Sequence, residues 1–434
     1  MGPTYAGTLW LMASADRLGG PVMPSATPLP RGPSHLALFG AEDLLHGPGC
    51  PVCRYVAEAG DRFLGWFALE AHAEASMITR LCRTLGLCPV HTRALLRQPG
   101  ADGRMTAVYR YLLRAAAQHL ADGTAPSGPC LGCARDAEAA QRAVDTLLTG
   151  LREVDLRERY RDVGGLCLPH LRAAVPRAGR RLAAWLAGQA AARLATGPPD
   201  PAAITGDHDA DTGVRARLRA ALPAAMPPPG ALPCGICAVC LGAALADRDA
   251  LAQAAANPLR PAPGKTRAGL CPAHLHDACY GPAGRTADPV TTDRVLAEES
   301  ERVAAWLAEL ASPPKLRSAF RKPRGKPGSE CPACEAAGAA EASLLTAIAG
   351  PFRPPGLCLR HVIALRRRDP RSAEAAVRAA AHTTQVVLRE IEEAMRKRTW
   401  AYRHEPRGRE MTAWQRAAAL IDGRVYGGGP PGPL

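Results

Sequence analysis

Cysteine and histidine recur along this 434-residue chain in a two-part spacing, CxxC followed by CxxH, that is found four times. The first copy is Cys50, Cys53, Cys88 and His91, and the second is Cys130, Cys133, Cys167 and His170. The third is Cys234, Cys237, Cys271 and His274, and the fourth is Cys331, Cys334, Cys358 and His361. Three thiols and one imidazole per copy form the donor set of a closed tetrahedral zinc site, which predicts four structural zinc ions, one per repeat. Motifs such as CPVC and CPAC also resemble thiol-disulfide centres, but fourfold recurrence with a matched CxxH favours zinc. One histidine per three cysteines is not the usual set for an iron-sulfur cluster. Cys240 extends the third motif to CxxCxxC and could exchange with Cys237 as a ligand; it is read as a packed helix residue, as are Cys82 and Cys279. His72, His119, His276, His382 and His404 lack paired spacing and are read as surface or interhelical side chains.

The residues around the ligands place them at helix starts. Pro51, Pro89, Pro272 and Pro332 each follow a motif's first cysteine. Proline suits the first helical position, where its missing N–H would be unpaired in any case. Cysteine then becomes the N-cap, and a ligand three residues on shares its face of the first turn. The helix dipole at that end favours thiolate over thiol. Gly86, Gly165, Gly269 and Gly356 permit the tight turn into the second helix. A single helix over Tyr55–Leu85 would carry Cys88 roughly 45 Å from Cys53 at the standard rise, so the chain must fold back, breaking between Gly60 and Glu70. In the fourth repeat Glu335–Ala349 can be one helix, returned by the extended run Pro351–Pro355.

Composition agrees with a helical, metal-braced fold. Apolar residues make up 47% but aromatics only 4%, so Ala and Leu dominate and helices form easily over thin cores. Zinc-finger peptides gain about 10 to 16 kcal/mol from the metal, comparable with the stability of a whole small domain. The formal charge is +14, and because each zinc with three thiolates subtracts one, four filled sites leave about +10. The Arg-rich, Ala-, Gly- and Pro-rich composition is also that of a GC-rich genome, so charge argues only weakly for nucleic acid. No run is long and apolar enough to span a membrane, and the N-terminal apolar run Leu9–Met12 is not a signal peptide. Fifteen cysteines without an export signal are expected to be reduced, which points to the cytoplasm.

The predicted fold class is all-α: four helical repeats, each stapled by its own Cys3His zinc site, in two tandem modules. Residues 1–45 read as a flexible leader with a short helix at Leu36–Leu45. Residues 46–195 form the first module, 196–233 a Pro-rich linker and 234–425 the second module. The second module contains a basic linker at 312–329 and an aromatic segment at 399–425, and 426–434 is a tail. A further break falls at 121–129. Helices are expected after each CxxH, at His91–Arg97, His170–Val175, His274–Cys279 and His361–Arg368. Longer ones follow at Met105–Leu120, Arg180–Leu194, Thr292–Leu310 and Ser372–Arg398. In the last, Val377, Ala380, Thr384, Val387, Leu388, Ile391 and Met395 recur at helical spacing and should form one buried face. Arg366, Arg367 and Arg368 sit at a predicted helix C-terminus, where cations are favoured.

The paired CPxC and GLCxxH modules resemble a bacterial family known only as a domain of unknown function. Its members carry two such modules and close with a helix, a Tyr-Arg element and a Trp-containing helix. The likeness is clearest at Pro129-Cys130 with Gly165-Leu166-Cys167-Leu168-Pro169-His170-Leu171, and from Trp400-Ala401-Tyr402-Arg403-His404-Glu405-Pro406 through Glu410, Trp414 and Gly423. The resemblance implies a tandem duplication over most of residues 46–425, in which the first half lacks the Tyr-Arg closure. It implies no established activity.

Functionally, four protein ligands per ion leave no open position to activate water, so the expectation is a non-catalytic zinc-binding protein that engages another macromolecule. A protein partner fits best. Tyr402, Arg403, Glu405 and Trp414 are candidate partner contacts, against the plainer reading that the segment packs on the preceding helix. Arg321, Lys322 and Arg324, in the run from Lys315 to Lys326, could grip phosphates and support a nucleic-acid-binding regulator, although the interspersed Pro and Gly also suit a solvated linker. A thiol-redox enzyme is the third class. No Ser-His-Asp order, phosphate loop or carboxylate motif supports an enzyme.

Overall fold

The computed structural model describes residues 35–195, 237–256, 274, 331–348 and 356–423. The expectations for Cys234, Cys271, Cys279, the 292–310 helix, the 312–329 segment with Arg321, Lys322 and Arg324, the 351–355 return and the tail lie outside these residues. The described residues are all-α. The first half comprises α1 (His35–Leu44), α2 (Pro51–Leu69), α3 (Ala75–Thr84), α4 (Pro89–Leu96), α5 (Ala101–Asp122), α6 (Leu131–Gly150), α7 (Val154–Asp162), α8 (Leu168–Ala174) and α9 (Arg180–Ala195). The second comprises α10 (Ala238–Ala256), α11 (Pro332–Ile348), α12 (Leu359–Arg368), α13 (Glu374–Lys397) and α14 (Ala413–Asp422).

Ligand chemistry and helix starts coincide. Cys50, Cys88, Cys130, Cys167 and Cys358 are N-caps of α2, α4, α6, α8 and α12. Gly86, Gly165 and Gly356, two residues before the second-motif cysteines, have positive φ. Gly165 is doubly constrained, because a Cβ there would also lie 2.9 Å from the Tyr160 ring, whose hydroxyl accepts the Leu166 N–H. The break in Tyr55–Leu85 falls at Glu70, where α2 ends.

Helix lengths determine where each return arrives. The 19 residues of α2 rise about 28 Å, whereas the 10 of α3 come back only about 15 Å. Cys88 therefore lands partway along α2 instead of at Cys53. There it meets the start of α6, which runs antiparallel to α2: Gly60 faces Asp136, and the Arg135 guanidinium lies over the Phe63 ring. The same inequality holds between α6, with 20 residues, and α7, with 9. In the second half α10 and α11 pair likewise, close enough that a Cβ on Gly242 would lie 2.2 Å from the Leu344 side chain.

Among the described residues three larger apolar cores result, beside a small cluster of Ala238, Leu241, Ala244 and Leu245 on α10. One joins α1, the start of α2 and α6–α9, and it includes Ala41, Leu44 and Leu45. The short helix expected at Leu36–Leu45 is therefore present as α1 and packs into this core. A second core joins the rest of α2 with α3, α5 and the half-spanning contributions of α12–α14. A third joins α10, α11 and α12. Helix α13 buries Ala380, Thr384, Val387, Ile391 and Ala394, close to the predicted face, with Val377, Leu388 and Met395 partly covered. Polar contacts reinforce the junction between the halves: Arg398 donates to the Gly103 carbonyl and Thr106, and Arg366 donates to the Ala121 carbonyl.

The aromatic segment divides. Trp414 is 5% exposed inside the second core, which fits the packing alternative for this residue and removes it from the candidate partner contacts. Its position on α14, between Ala413 and Ala417 on the buried face, accounts for this. Trp400 is 76% exposed beneath the Arg403 guanidinium. Tyr402 lies under Arg396, which also pairs with Glu405.

Glu410 anchors the turn before α14. Burial works against its charge, and the Gly408 N–H at 2.7 Å and the Lys397 ammonium at 2.9 Å overcome it, holding its pKa at about 2 against 4.5. Stability from this carboxylate is complete above pH 4.5 and is lost as the pH falls towards 2. Denaturant titrations at pH 6 and about pH 3 should therefore show the stability gap between wild type and Glu410→Gln narrowing at the lower pH. A constant gap would mean that Glu410 has no depressed pKa.

Candidate metal centres

Among the described residues four groups of cysteine and histidine could hold a metal ion, and none of them joins the two motifs of one repeat. Cys50 and Cys53 meet Cys167 and His170; Cys130 and Cys133 meet Cys88 and His91. The second half repeats the scheme, with Cys237 and Cys240 meeting Cys358 and His361, and Cys331 and Cys334 meeting His274. The expectation that each repeat is stapled by its own site is therefore corrected. The first CxxC of each half closes with the last CxxH around an inner site built from the two motifs between them. The short return helices cause this, since neither α3 nor α7 is long enough to bring a CxxH back to its own CxxC.

A second correction concerns Cys240, read from the sequence as a packed helix residue with Cys234 as the ligand. The structure places Cys240 in the cluster with Cys237. Cys237 immediately precedes α10, so Cys237 and Cys240 occupy the positions that Cys50 and Cys53 occupy on α2. Cys82, in contrast, is a helix residue outside every cluster, and its Sγ faces the Tyr111 carbonyl.

The geometry suits one ion per cluster. Tetrahedral zinc, with bonds of about 2.3 Å to sulfur and about 2.0 Å to nitrogen, holds sulfurs about 3.8 Å apart and each sulfur about 3.5 Å from the imidazole nitrogen. The Cys53–Cys167, Cys88–Cys133 and Cys240–Cys358 sulfurs are separated by 3.6, 3.8 and 3.8 Å. Sulfur to Nδ1 distances run from 3.1 Å at Cys88–His91 to 3.8 Å at Cys130–His91, with 3.5 Å for Cys50–His170 and 3.2 Å for Cys331–His274. In every cluster the nitrogen turned inward is Nδ1.

That orientation leaves Nε2 for a carboxylate, the usual way a ligating imidazole is held in one tautomer. His91 Nε2 lies 2.8 Å from Asp136, His274 Nε2 2.5 Å from Asp247 and His361 Nε2 3.4 Å from Glu341. His170 has no such carboxylate among the described residues. Asp247 and Glu341 stand at the same place, ten residues after Cys237 and Cys331, each on the helix opposite the site it serves. In the first half that place on α2 is Gly60, and Asp136 reaches His91 from α6 through the space Gly60 leaves. These carboxylates were missed in the sequence. Their spacing was the available signal both for the exchanged pairing and for Cys237–Cys240 as the true CxxC.

Charge in the clusters is prepared for a cation. The Cys130 and Cys237 thiols are lowered, chiefly by hydrogen bonds from Cys133 and Cys240; burial opposes the same change at Cys50, where Cys167, Cys53 and His170 outweigh it. Burial also opposes a charge on the imidazoles. Asp136 and the cysteines nevertheless push His91 up to about 12, Cys237, Cys358 and Glu341 push His361 up to about 12, and Asp247 and Cys331 push His274 up to about 9. Other thiols of these clusters shift the opposite way: neighbouring sulfurs raise Cys133, Cys240 and Cys358, and burial raises Cys167, so loading a metal must release protons.

The sites differ in exposure and are linked. Cys50, Cys53 and Cys167 are buried, whereas Cys133 and Cys334, both in inner sites, are exposed. Gly132 lies under the His91 ring, where a Cβ would approach within 2.3 Å. Arg360, between Cys358 and His361, donates to the Leu85 and Leu87 carbonyls just before Cys88 and pairs with Asp422 at 3.0 Å. Asp422 also accepts from Thr92, one residue after His91, so the end of α14 connects the first inner site to the second outer one. Gly423 then presses on that outer site: a Cβ there would be 2.8 Å from Cys240 Sγ.

No family model, curated protein or solved structure matches the chain. Among the described residues, no helix is long and apolar enough to cross a membrane.

Proposed function

We propose that the chain is a non-catalytic zinc protein, a helical scaffold whose four structural ions hold surfaces for a macromolecular partner. The observation carrying this reading is the donor set: where all four ligands are described, three thiols and one Nδ1 lie at tetrahedral separations and fill every position a structural zinc requires. Soft sulfur donors with imidazole favour zinc over hard cations. With no position left for water or substrate, the residues themselves supply no site for metal-assisted hydrolysis. Recurrence of the same nested scheme and helix pairing in both halves supports a tandem duplication into two modules. The exposed Trp400 and Tyr402, flanked by Arg403 and Glu405, support a protein partner as the occupant of that edge.

Native mass spectrometry of protein purified without added metal tests the metal assignment. Four zinc ions are expected, and Cys88→Ser or His170→Ala should each remove one. A metal-free protein with full helicity would overturn the proposal.

A further inference from the structure

We propose that the pocket between the end of α6 and the start of α9 binds a small phosphorylated ligand. The cavity, of about 570 Å³, is within the range of small-molecule sites and is remote in role from the metal ligands. Its lining includes Arg152, Arg157, Arg177, Arg180 and Arg181 and a single acid, Asp145. Asp145 is already taken by Arg177, which donates to both its oxygens at 2.8 and 2.6 Å. Arg157 donates its Nε to the Leu151 carbonyl, and its guanidinium lies over the Trp185 ring. Among the described residues Arg152, Arg180 and Arg181 have no acidic partner.

Such an arrangement opposes folding on its own. Several like charges share one concavity, and Arg180 and Arg181 open α9, whose first turn contains no acid, at the end where the helix dipole disfavours cations. A multiply charged anion would offset these repulsions with attractions to each guanidinium and to the helix dipole. Guanidinium forks match phosphate oxygens in a bidentate manner, and unpaired ones need no prior ion pair to be broken. The modest size of this open pocket favours a compact di- or triphosphate over a polymer backbone, which would require a longer groove.

The test uses the full zinc-loaded chain at low salt, with inorganic pyrophosphate as the probe and a single-stranded oligonucleotide as the second arm. Calorimetry should show pyrophosphate binding that weakens roughly tenfold in Arg152→Ser and in Arg181→Ser, the loss expected for one charge-assisted contact. Arg142→Ser, on the exposed side of α6, should leave it unchanged. The variant carrying Arg180→Glu and Arg181→Glu should melt at a higher temperature than wild type without ligand and gain nothing from pyrophosphate; zinc count and circular dichroism establish that it is folded. A variant that melts lower would show that the arginines are structural and overturn the proposal. Absence of pyrophosphate binding by wild type, equal binding by the variants, or binding of the oligonucleotide alone would also overturn it.

Discussion

Two double substitutions should give opposite zinc counts. Cys88→Ser with Cys133→Ser strikes one site twice and should remove one zinc, although the two residues belong to different repeats. Cys53→Ser with Cys88→Ser lies within one repeat but strikes two sites, and should remove two. Each missing thiolate should weaken its site by more than about 100-fold, since even outer-shell partners contribute about 10 to 100-fold. Native mass spectrometry in the presence of a competing chelator reads the counts directly. If the first pair lost two ions and the second lost one, the motifs would be closing within their own repeats and the nested arrangement would be wrong.

Chelation of the wild-type protein should proceed in two stages. The inner sites expose Cys133 and Cys334, whereas the first outer site keeps all its thiols buried. A chelator can attack the former in the folded state but reaches the latter only after local opening. Inner-site zinc should therefore leave at least roughly tenfold faster, and alkylation followed by peptide mapping should label Cys133 and Cys334 before Cys53 and Cys167. Most of the helical signal should persist through the first stage and collapse in the second. The outer-site thiols lie within apolar cores, so losing those ions, each worth on the order of 10 kcal/mol, also loosens the packing around them. Simultaneous release of all ions, or early labelling of Cys167, would contradict this order.

Much of the local design could be read from the sequence because it depends on neighbours. Proline after cysteine marks the helix starts at α2, α4 and α11, and glycine before the second motif marks the left-handed turn at Gly86, Gly165 and Gly356. The helical period of α13 identified a buried face because packing repeats every turn. Pairing was not legible in the same way. Which CxxH meets which CxxC depends on the difference in length between an outgoing helix and its return, and the end of α2 could be located only to within several residues. Cys240 was passed over because Cys234–Cys237 satisfies the same spacing; only the carboxylates Asp247 and Glu341, at matching distances along α10 and α11, separate the two registers. For Trp414 the sequence leaves partner contact and packing both open, and the small residues Ala413, Ala417 and Ala418 on its face are what admit it to the core. The arginine pocket is assembled from three helices and the turn before α9, and no local pattern announces it.

The nested pairing also sets an order of events at the ribosome. His91 and Cys133 are 42 positions apart, so the first inner site can close soon after α6 begins to emerge. Cys50 must wait for His170, 120 positions later, and through that interval its thiol has no partner from the opposite end of its half. Closing the shorter loop first shortens the free chain that the longer one must gather, which lowers the entropic cost of the second closure. Each half is thus assembled from the inside outward as it is synthesised, and a nascent chain that has emerged beyond Cys133 but not as far as Cys167 would hold one ion and a pair of waiting cysteines.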